Sequence, residues 1–546
     1  MADGDHAHHR RPGAARRDPP VKQRHPLPPG ARDRRAEHVP AVPGAISATG
    51  TPPSTAVVGG GIAGIAAAVA LAERGVQVTL YERDDTLGGR LAGWDTRLAD
   101  GSSATMSRGF HAFFRQYYNL RALLRRTDPH LERLTQLPDY PLWHANGMRD
   151  SFQRVPRTPP WSAAGFALTS PTFTLSDLPR INARAALPLM DVRVPQVYEQ
   201  LDSVSAYDLL ASIRFPEAAH HLAFEVFSRS FFADPRHLSA AEMVLMFHIY
   251  FLGSAEGLLF DVPNDPFPTA LWNPLHRYLE SLGVDVRVST PVERVAAAPD
   301  GGFRVTADDR TRRHDACVLA LDTRGLQHLL RHSPGLADDD WYARVARLRT
   351  APAFLVSRLW LDRPVAVDRA GFLGTSGYGN LDNVSVLERW EHEAHSWSRR
   401  TGGSVIELHA YAVPDDADRK AEQDRAVEQL HLLYPETRAA RVVDSRNEWR
   451  EDCPMFATAG YGDRPTVHTT NPTLMVAGDL VRTGLPVALM ERAATSGMLA
   501  ANALLRQWRL QGHDLWTVPT RGRSTLLRTM TRRSTSRARR TELPVP

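Results

Sequence analysis

The chain has 546 residues, 42% of them hydrophobic, which is enough for a large core and for two domains. Its formal net charge of +5 is carried almost wholly by arginine, with Lys22 and Lys420 as the only lysines, and the arginines run along the whole chain instead of massing on one element as a nucleic-acid surface would require. The two cysteines, Cys317 and Cys453, exclude a disulfide framework and a C-x-x-C redox pair. No apolar run reaches the roughly 20 residues that span a bilayer.

Residues 1–53 are rich in Pro, Arg, His and Ala without periodicity, and are expected to be a disordered tail, either simply solvated or drawn to anionic lipid. The N-terminus has no apolar core of a signal peptide, so a cytoplasmic location is expected, peripheral at the membrane. From Thr55 the pattern changes. Ala56 to Val58 reads as a buried strand, and Gly59, Gly61 and Gly64 form G-x-G-x-x-G at a strand-to-helix turn. The three glycines serve the tight turn, close approach to a diphosphate and close helix packing. Ile65 to Arg74 is an alanine-rich helix whose N-terminus favours an anion, and Gly75 ends it. Val76 to Tyr81 is a second strand, ending at Glu82, where a carboxylate binds both ribose hydroxyls of an adenosine. That acid would repel a 2′-phosphate, although Arg83 leaves an NADP site open. Gly88, Gly89 and Arg90 follow, a glycine pair and a guanidinium suited to a second pass along the diphosphate.

Ala104 to Leu124 is broken by Gly109 into an extended piece and a helix. His111 lies at this junction, as a proton-transfer candidate or as a core histidine bonded to backbone. Phe110, Phe113 and Phe114 suit either a lining that stabilises cationic charge or ordinary packing. Pro138 to Pro195 is proline-broken and reads as an inserted cap, with Trp161 to Leu168 as an apolar piece. Ala206 to Ile213, Pro216 to Phe227 and Ala240 to Leu252 read as helices. The last is apolar nearly all round, so it is buried, lines a tunnel or touches a membrane. Glu256 and Asp261 flank the next apolar patch, as acid/base candidates or as caps and turns.

Leu271 to Gly283 is a helix. Val284 to Val288, Val292 to Ala297, Phe303 to Thr306 and Ala316 to Leu321 read as strands of a small sheet that returns to the nucleotide domain, with Val292 near the adenine. Leu355 to Leu361 and Val405 to Tyr411 suit a mostly antiparallel sheet, and Asp418 to Leu433 is helical. Thr473 to Val476 is a strand ending in Gly478 and Asp479, and Val487 to Gln507 is an amphipathic helix after Pro486. Alone, Gly478 and Asp479 are an ordinary turn. Paired with the first nucleotide stretch they give the second contact that FAD needs and NAD does not, and the helix N-terminus then faces the flavin. Beyond Gly512 the pattern is lost. Arg521 to Arg540 holds eight arginines around Leu526, Leu527 and Met530, a solvated tail or a weak membrane anchor.

The nucleotide stretch, Gly88-Gly89-Arg90 and the Gly478-Asp479 helix together resemble the amine oxidase and phytoene desaturase superfamily over most of residues 55–508. Three segments, Met106 to Arg121, Arg229 to Pro235 and Tyr250 to Pro263, are similar to the carotene desaturase/methyltransferases, the isorenieratene synthase or carotenoid φ/χ-ring synthase family. The resemblance implies an α/β fold, an FAD-binding Rossmann-like domain with an inserted α+β substrate domain. FAD would be held by Gly59, Gly61, Gly64, Glu82, Gly88, Gly89, Arg90, Gly478 and Asp479, with Arg83 and Val292 added from the residues themselves.

The expected boundaries are a tail at 1–53 and FAD-binding parts at 54–115, 265–330 and 470–511. Substrate-domain parts are expected at 116–264 and 331–469, and a basic tail at 512–546. The implied activity is desaturation of the β-ionone ring of β-carotene, with a methyl moving from C1 to C2 to leave an aromatic ring. Hydride loss would leave a polyene-stabilised cation, so the protein must exclude water and provide a proton acceptor, for which Glu256 and His111 are the candidates. The expected partners are a carotenoid and the membrane surface, with no metal and no nucleic acid; the electron acceptor, a quinone or oxygen, stays open. Two other functions stay open as well: desaturation or isomerisation of a linear carotene or another lipid, and a non-catalytic lipid-binding module of the same fold.

Overall fold

A computed structural model describes residues 33–153, 155–159, 161–162, 165, 170, 181–214, 231–523, 525 and 528–529. Five parallel strands form the sheet that organises the chain, in the order Asp285–Arg287, Gln77–Tyr81, Ser54–Val58, Ala316–Leu319, Leu474–Val476. The near-continuous apolar runs of Ser54–Val58, Ala316–Leu319 and Leu474–Val476 suit a sheet covered on both faces. The helices Ile62–Ala72 and Leu489–Gln507 pack along each other, and Gly497 makes the approach possible, because a Cβ there would overlap the carbonyl of Ala63. Val284 to Val288 and Ala316 to Leu321 were expected in the small sheet. Instead Asp285–Arg287 pairs with Gln77–Tyr81 and Ala316–Leu319 with Ser54–Val58 in the parallel sheet, while Val292–Ala297, Phe303–Ala307 and Arg310–His314 make a separate antiparallel meander.

The substrate side is a seven-stranded sheet built from two distant parts of the chain. Val442–Arg450, Ala353–Leu361, Ser404–Val413, Asn383–Val386 and Phe372–Ser376 are antiparallel neighbours. Pro141–His144 then joins Phe372–Ser376 in parallel and pairs with Arg149–Ser151. Among the described residues of the cap, the helix Ala240–Phe247 runs on into one wider turn, His248–Leu252, and both are buried. No helix among the described residues is long and apolar enough to cross a membrane.

Several expected boundaries shift. Residues 33–53 are not a free tail: Glu37–Val39 pairs antiparallel with Leu515–Thr517, and Asp33, 2% exposed, is ion-paired with Arg523. The two chain ends hold each other through backbone pairing, which leaves no mark in hydrophobic periodicity. For the same reason ordered structure runs past Gly512, where Leu515 and Thr517 are buried. Leu120, Leu123 and Leu124, with Trp341 and Val345, belong to the core of the nucleotide sheet, so that domain extends past 115 and past 330. Residues 1–32, Pro216 to Phe227, and most of Trp161 to Leu168 and Arg521 to Arg540 lie outside the described residues.

Candidate functional site

The strand Ser54–Val58 ends at Gly59, whose φ of 108° is open to glycine alone, and a Cβ there would overlap the Ala320 carbonyl. Gly64 is equally crowded, by the carbonyl of Gly59. Gly61 differs. The nearest atom to a Cβ at Gly61 is the Gly89 Cα at 3.9 Å, so its hydrogen faces open space in a cavity. Gly61 also caps the helix Ile62–Ala72 without any side-chain bond, which leaves first-turn N–H groups for an anion. Glu82 is buried at the strand end. One oxygen accepts the Gly60 N–H at 2.6 Å and the other accepts the Asp84 N–H at 2.9 Å. Burial pushes its pKa up, against these two donors. The carboxylate thus ties the glycine loop to the second strand while keeping lone pairs for a ribose. Arg83 stands at the rim, 60% exposed, between Asp84 at 3.6 Å and Asp322 at 4.0 Å. Val292 lines the same end of the cavity with Thr290 and Pro291.

Gly88 donates its N–H to the Gly60 carbonyl at 2.9 Å, so the Gly-Gly-Arg loop lies directly on the first glycine loop. Its φ of 117° and the Trp272 ring, 2.5 Å from where a Cβ would sit, both demand glycine. A Cβ on Gly89 would come within 3.1 Å of Gly61. Arg90 reaches across to Asp479, Nη2 to Oδ1 2.6 Å, and joins the first and last segments of the site. Burial opposes the charge of Arg90, but the Asp479 carboxylate outweighs it and raises the pKa further. Gly478, at φ 145°, donates its N–H to Ser496 Oγ at 2.9 Å. The carbonyl of Asp479 accepts from Arg492, which with Arg464 clamps the buried Glu242 of the cap helix. The two guanidiniums overcome burial and hold Glu242 down at about 2. The last helix begins at Leu489, two residues later than its sequence suggests, with Leu489, Met490 and Ala493 on the cavity wall.

From this cradle one cavity of about 740 Å³ runs on between the two domains. Its far part is walled by aromatic rings, among them Phe110, Phe114, Tyr140, Tyr250, Phe260 and Phe372. Phe110 stacks on Phe372 with ring centres 4.2 Å apart. Phe113, also expected to line the site, is fully buried on the core side. Met246, Tyr250 and Phe251 give the cap helix and its wider turn one edge on the cavity, the rest being core.

The two proton-transfer candidates part ways. His111 is on the cavity wall with Nδ1 2.9 Å from the Gly109 carbonyl, and burial lowers its pKa to about 4, so the ring is neutral there. Glu256 is buried but is not on the wall: its carboxylate faces Tyr118 and Arg125 inside the protein, which removes it as a candidate in the cavity. An acid flanked by apolar residues gives no sign of which side it faces. Asp261 is held by Arg115 at 3.1 Å and Arg121 at 2.7 Å, a structural role.

Sequence reasoning missed a polar chain that reaches the wall through His409 and Tyr411. Glu407, His409 and Tyr411 occupy alternate positions of the strand Ser404–Val413 and so share one face, backed by Arg358 on the neighbouring strand. The available signal was the alternation of polar residues inside an apolar strand. Arg108 and Asp452 form a further ion pair on the wall, and among the described residues Arg108 Nε and Asp452 Oδ1 have no hydrogen-bond partner.

The cradle suits FAD: glycine where a Cβ would meet the ligand, a helix N-terminus for the diphosphate, an acid for the ribose, and a second segment further along. The flavin containing amine oxidoreductase family matches residues 62–505. The chain is 70% identical to the carotenoid phi-ring synthase of Streptomyces griseus, over 91% of this chain and 96% of that protein. It is 27% identical to the carotenoid phi-ring synthase of Chlorobaculum tepidum, over 86% and 91% respectively. Among solved structures, cyclohexylamine oxidase from Brevibacterium oxydans superposes with a TM-score of 0.60 at 15% identity, covering 84% of this chain and 100% of that one, a likeness of fold. The chain therefore belongs to the flavin containing amine oxidoreductase family, and within it to the carotenoid phi-ring synthases, and is an FAD-dependent oxidoreductase.

Proposed function

We propose that the protein desaturates the β-ionone ring of β-carotene or a related β-ring carotene and shifts one methyl from C1 to C2, leaving an aromatic ring. The observation that carries this is the continuity of the cavity: the FAD cradle opens without a break into an aromatic-walled tunnel, which fits one end of a rigid polyene and little that is polar. The names of the two relatives support the ring as the reacting part and φ as the ring type formed.

Bound FAD supplies the two-electron acceptor for hydride from an allylic ring carbon. Gly59, Gly61, Gly64 and Glu82 would hold its adenosine diphosphate end, with Val292 beside the adenine and Arg83 at the rim. Gly88, Gly89, Arg90, Gly478 and Asp479 would hold the part nearer the ring. The aromatic wall excludes water, which would trap a ring cation, and the faces of Phe110 and Phe114 stabilise positive charge. His111 stands in this wall as a neutral hydrogen-bonding group. Access to so insoluble a substrate supports contact with a membrane surface, which flotation with anionic vesicles tests.

The direct test is anaerobic mixing of the FAD-loaded protein with β-carotene in detergent micelles. Bleaching of the flavin together with a product that has lost hydrogen but no carbon is expected. A bleached flavin with a non-aromatic product would point to plain desaturation. An unbleached flavin with β-carotene bound would refute the proposal.

A further inference from the structure

We propose that Tyr411 is the catalytic residue that takes the proton from the substrate ring, with His409 as its acceptor and Glu407 and Arg358 as positioning residues behind it. The proposal rests on the carotene oxidation proposed above.

The hydrogen bonds give the chain a direction. Asn383 donates to the Tyr411 oxygen at 3.0 Å, so the phenol hydrogen points to His409 Nδ1 at 2.8 Å. On the far side, His409 Nε2 lies 2.9 Å from Glu407 Oε1, and Arg358 holds the other Glu407 oxygen with bonds of 3.0 and 2.8 Å. Glu407 is 0% exposed and His409 1% exposed. A buried carboxylate backing an imidazole that in turn backs a hydroxyl is the arrangement that moves a proton through a hydroxyl at a dry site. Burial works against the charge of Glu407, but Arg358 outweighs it, so the carboxylate is ionised and ready to stabilise an imidazolium. Burial raises the Tyr411 phenol, so Tyr411 gives up its own proton only as it receives another.

Two features show that the fold makes room for this chain. Gly109 has a φ of 89°, and a Cβ there would overlap the His409 imidazole. The Phe110 backbone nitrogen also lies 3.3 Å from His409 Nε2, so the backbone of the Gly109 turn packs onto the ring. The position suits the reaction as well. Tyr411 and His409 both line the cavity, together with Arg90, Cys453 and Asp479 of the cradle. The phenol stands beside Phe232, also on that wall, with ring centres 4.8 Å apart.

The step balances as follows. A ring C–H bond breaks, its hydrogen leaving with the electron pair that bound FAD would accept, and the methyl moves from C1 to C2 with its own pair. A neighbouring C–H then breaks and its electrons form the ring C=C. Its proton forms a new O–H bond at Tyr411 while the original phenol proton passes to His409 Nδ1. The imidazolium, bonded to Glu407, later returns one proton to solvent. Each further double bond repeats the same pair of losses, and would require an external two-electron acceptor, a quinone or oxygen, to reoxidise the flavin in between.

Tyr411→Phe and His409→Gln test this in the FAD-loaded full chain, with FAD content, melting temperature, carotene affinity and product measured together. Both variants are expected to keep FAD and to bind β-carotene with unchanged affinity, while oxidised product falls about 100-fold or more through kcat and not KM. Wild-type turnover in Tyr411→Phe would overturn the proposal. So would a loss of product that merely follows lost FAD or a lowered melting temperature, since that marks a structural network. If the wild type makes only a non-aromatic product, the ring reaction fails alone, because simple desaturation also sheds a proton and Tyr411→Phe must still slow it. If the wild type oxidises no carotene, both proposals fall.

Discussion

Gly61 caps the helix Ile62–Ala72 and Gly64 lies three residues on in its first turn, yet substituting each should have opposite consequences. At Gly64 an added methyl would overlap the carbonyl of Gly59, backbone against backbone, so the helix Ile62–Ala72 must lift off its strand. Overpacking of this kind costs about 1–3 kcal/mol or more, and a backbone obstacle belongs at the upper end. At Gly61 the nearest atom is 3.9 Å away, and φ is −76° with ψ near 180°, a conformation alanine adopts freely. Alanine there loses roughly 0.5–1 kcal/mol as a helix cap and recovers about 0.4–1 kcal/mol from a stiffer unfolded chain. The apoprotein should therefore be nearly unchanged. The methyl would instead meet the diphosphate, and the same overpacking of about 1–3 kcal/mol then weakens FAD roughly 5- to 150-fold. Melting of the apoproteins and fluorescence titration with FAD separate the two effects. Gly61→Ala should keep the wild-type melting temperature and lose FAD affinity, whereas Gly64→Ala should lose melting temperature. Wild-type FAD affinity in Gly61→Ala, or wild-type stability in Gly64→Ala, would refute this assignment of the loop.

Three further outcomes follow from buried charge and crowding. Glu242→Gln leaves Arg464 and Arg492 buried without their counter-ion and should cost about 3–5 kcal/mol in urea unfolding; a change under about 1 kcal/mol would show that the clamp is dispensable. Burial lowers His111 and His248 to about 4 from 6.5, and among the described residues His248 Nδ1 has no partner to take up a second proton. Below pH 6.5 the unfolded chain therefore binds more protons than the folded one, and stability falls as pH drops toward 4, by up to about 1.4 kcal/mol per pH unit for each histidine. His248→Gln should make the urea midpoint less sensitive over that range, and an unchanged slope would count against the assignment. Gly109→Ala puts a methyl on the His409 ring at a positive φ and should cost about 1–3 kcal/mol, visible as a lowered melting temperature. If that variant melts like the wild type, the turn is not tailored to the imidazole.

The nucleotide half was legible because its constraints are local. A strand, a turn that only glycine can make, a helix and a terminal acid occur in order, and the backbone angles at Gly59 and Gly88 explain why no other residue stands there. The pairing of Glu37–Val39 with Leu515–Thr517 was hidden because strands that short carry no face pattern, and their partner lies at the other end of the chain. Glu256 was misplaced for a related reason: the apolar residues around it mark burial and not which cavity it faces. The Glu407, His409 and Tyr411 chain was in plain view as polar residues at every second position of an apolar strand. Its meaning depends on Arg358 and Gly109, which only the folded sheet brings to it.

The central claim, that this protein aromatises a carotene ring, is tested most directly by expressing it in cells that accumulate β-carotene and taking mass and NMR spectra of the extracted pigment. The account predicts a pigment that has lost hydrogens without losing carbon and that carries a trimethylphenyl end group. β-Carotene recovered unchanged from cells whose protein is fully loaded with FAD would contradict it.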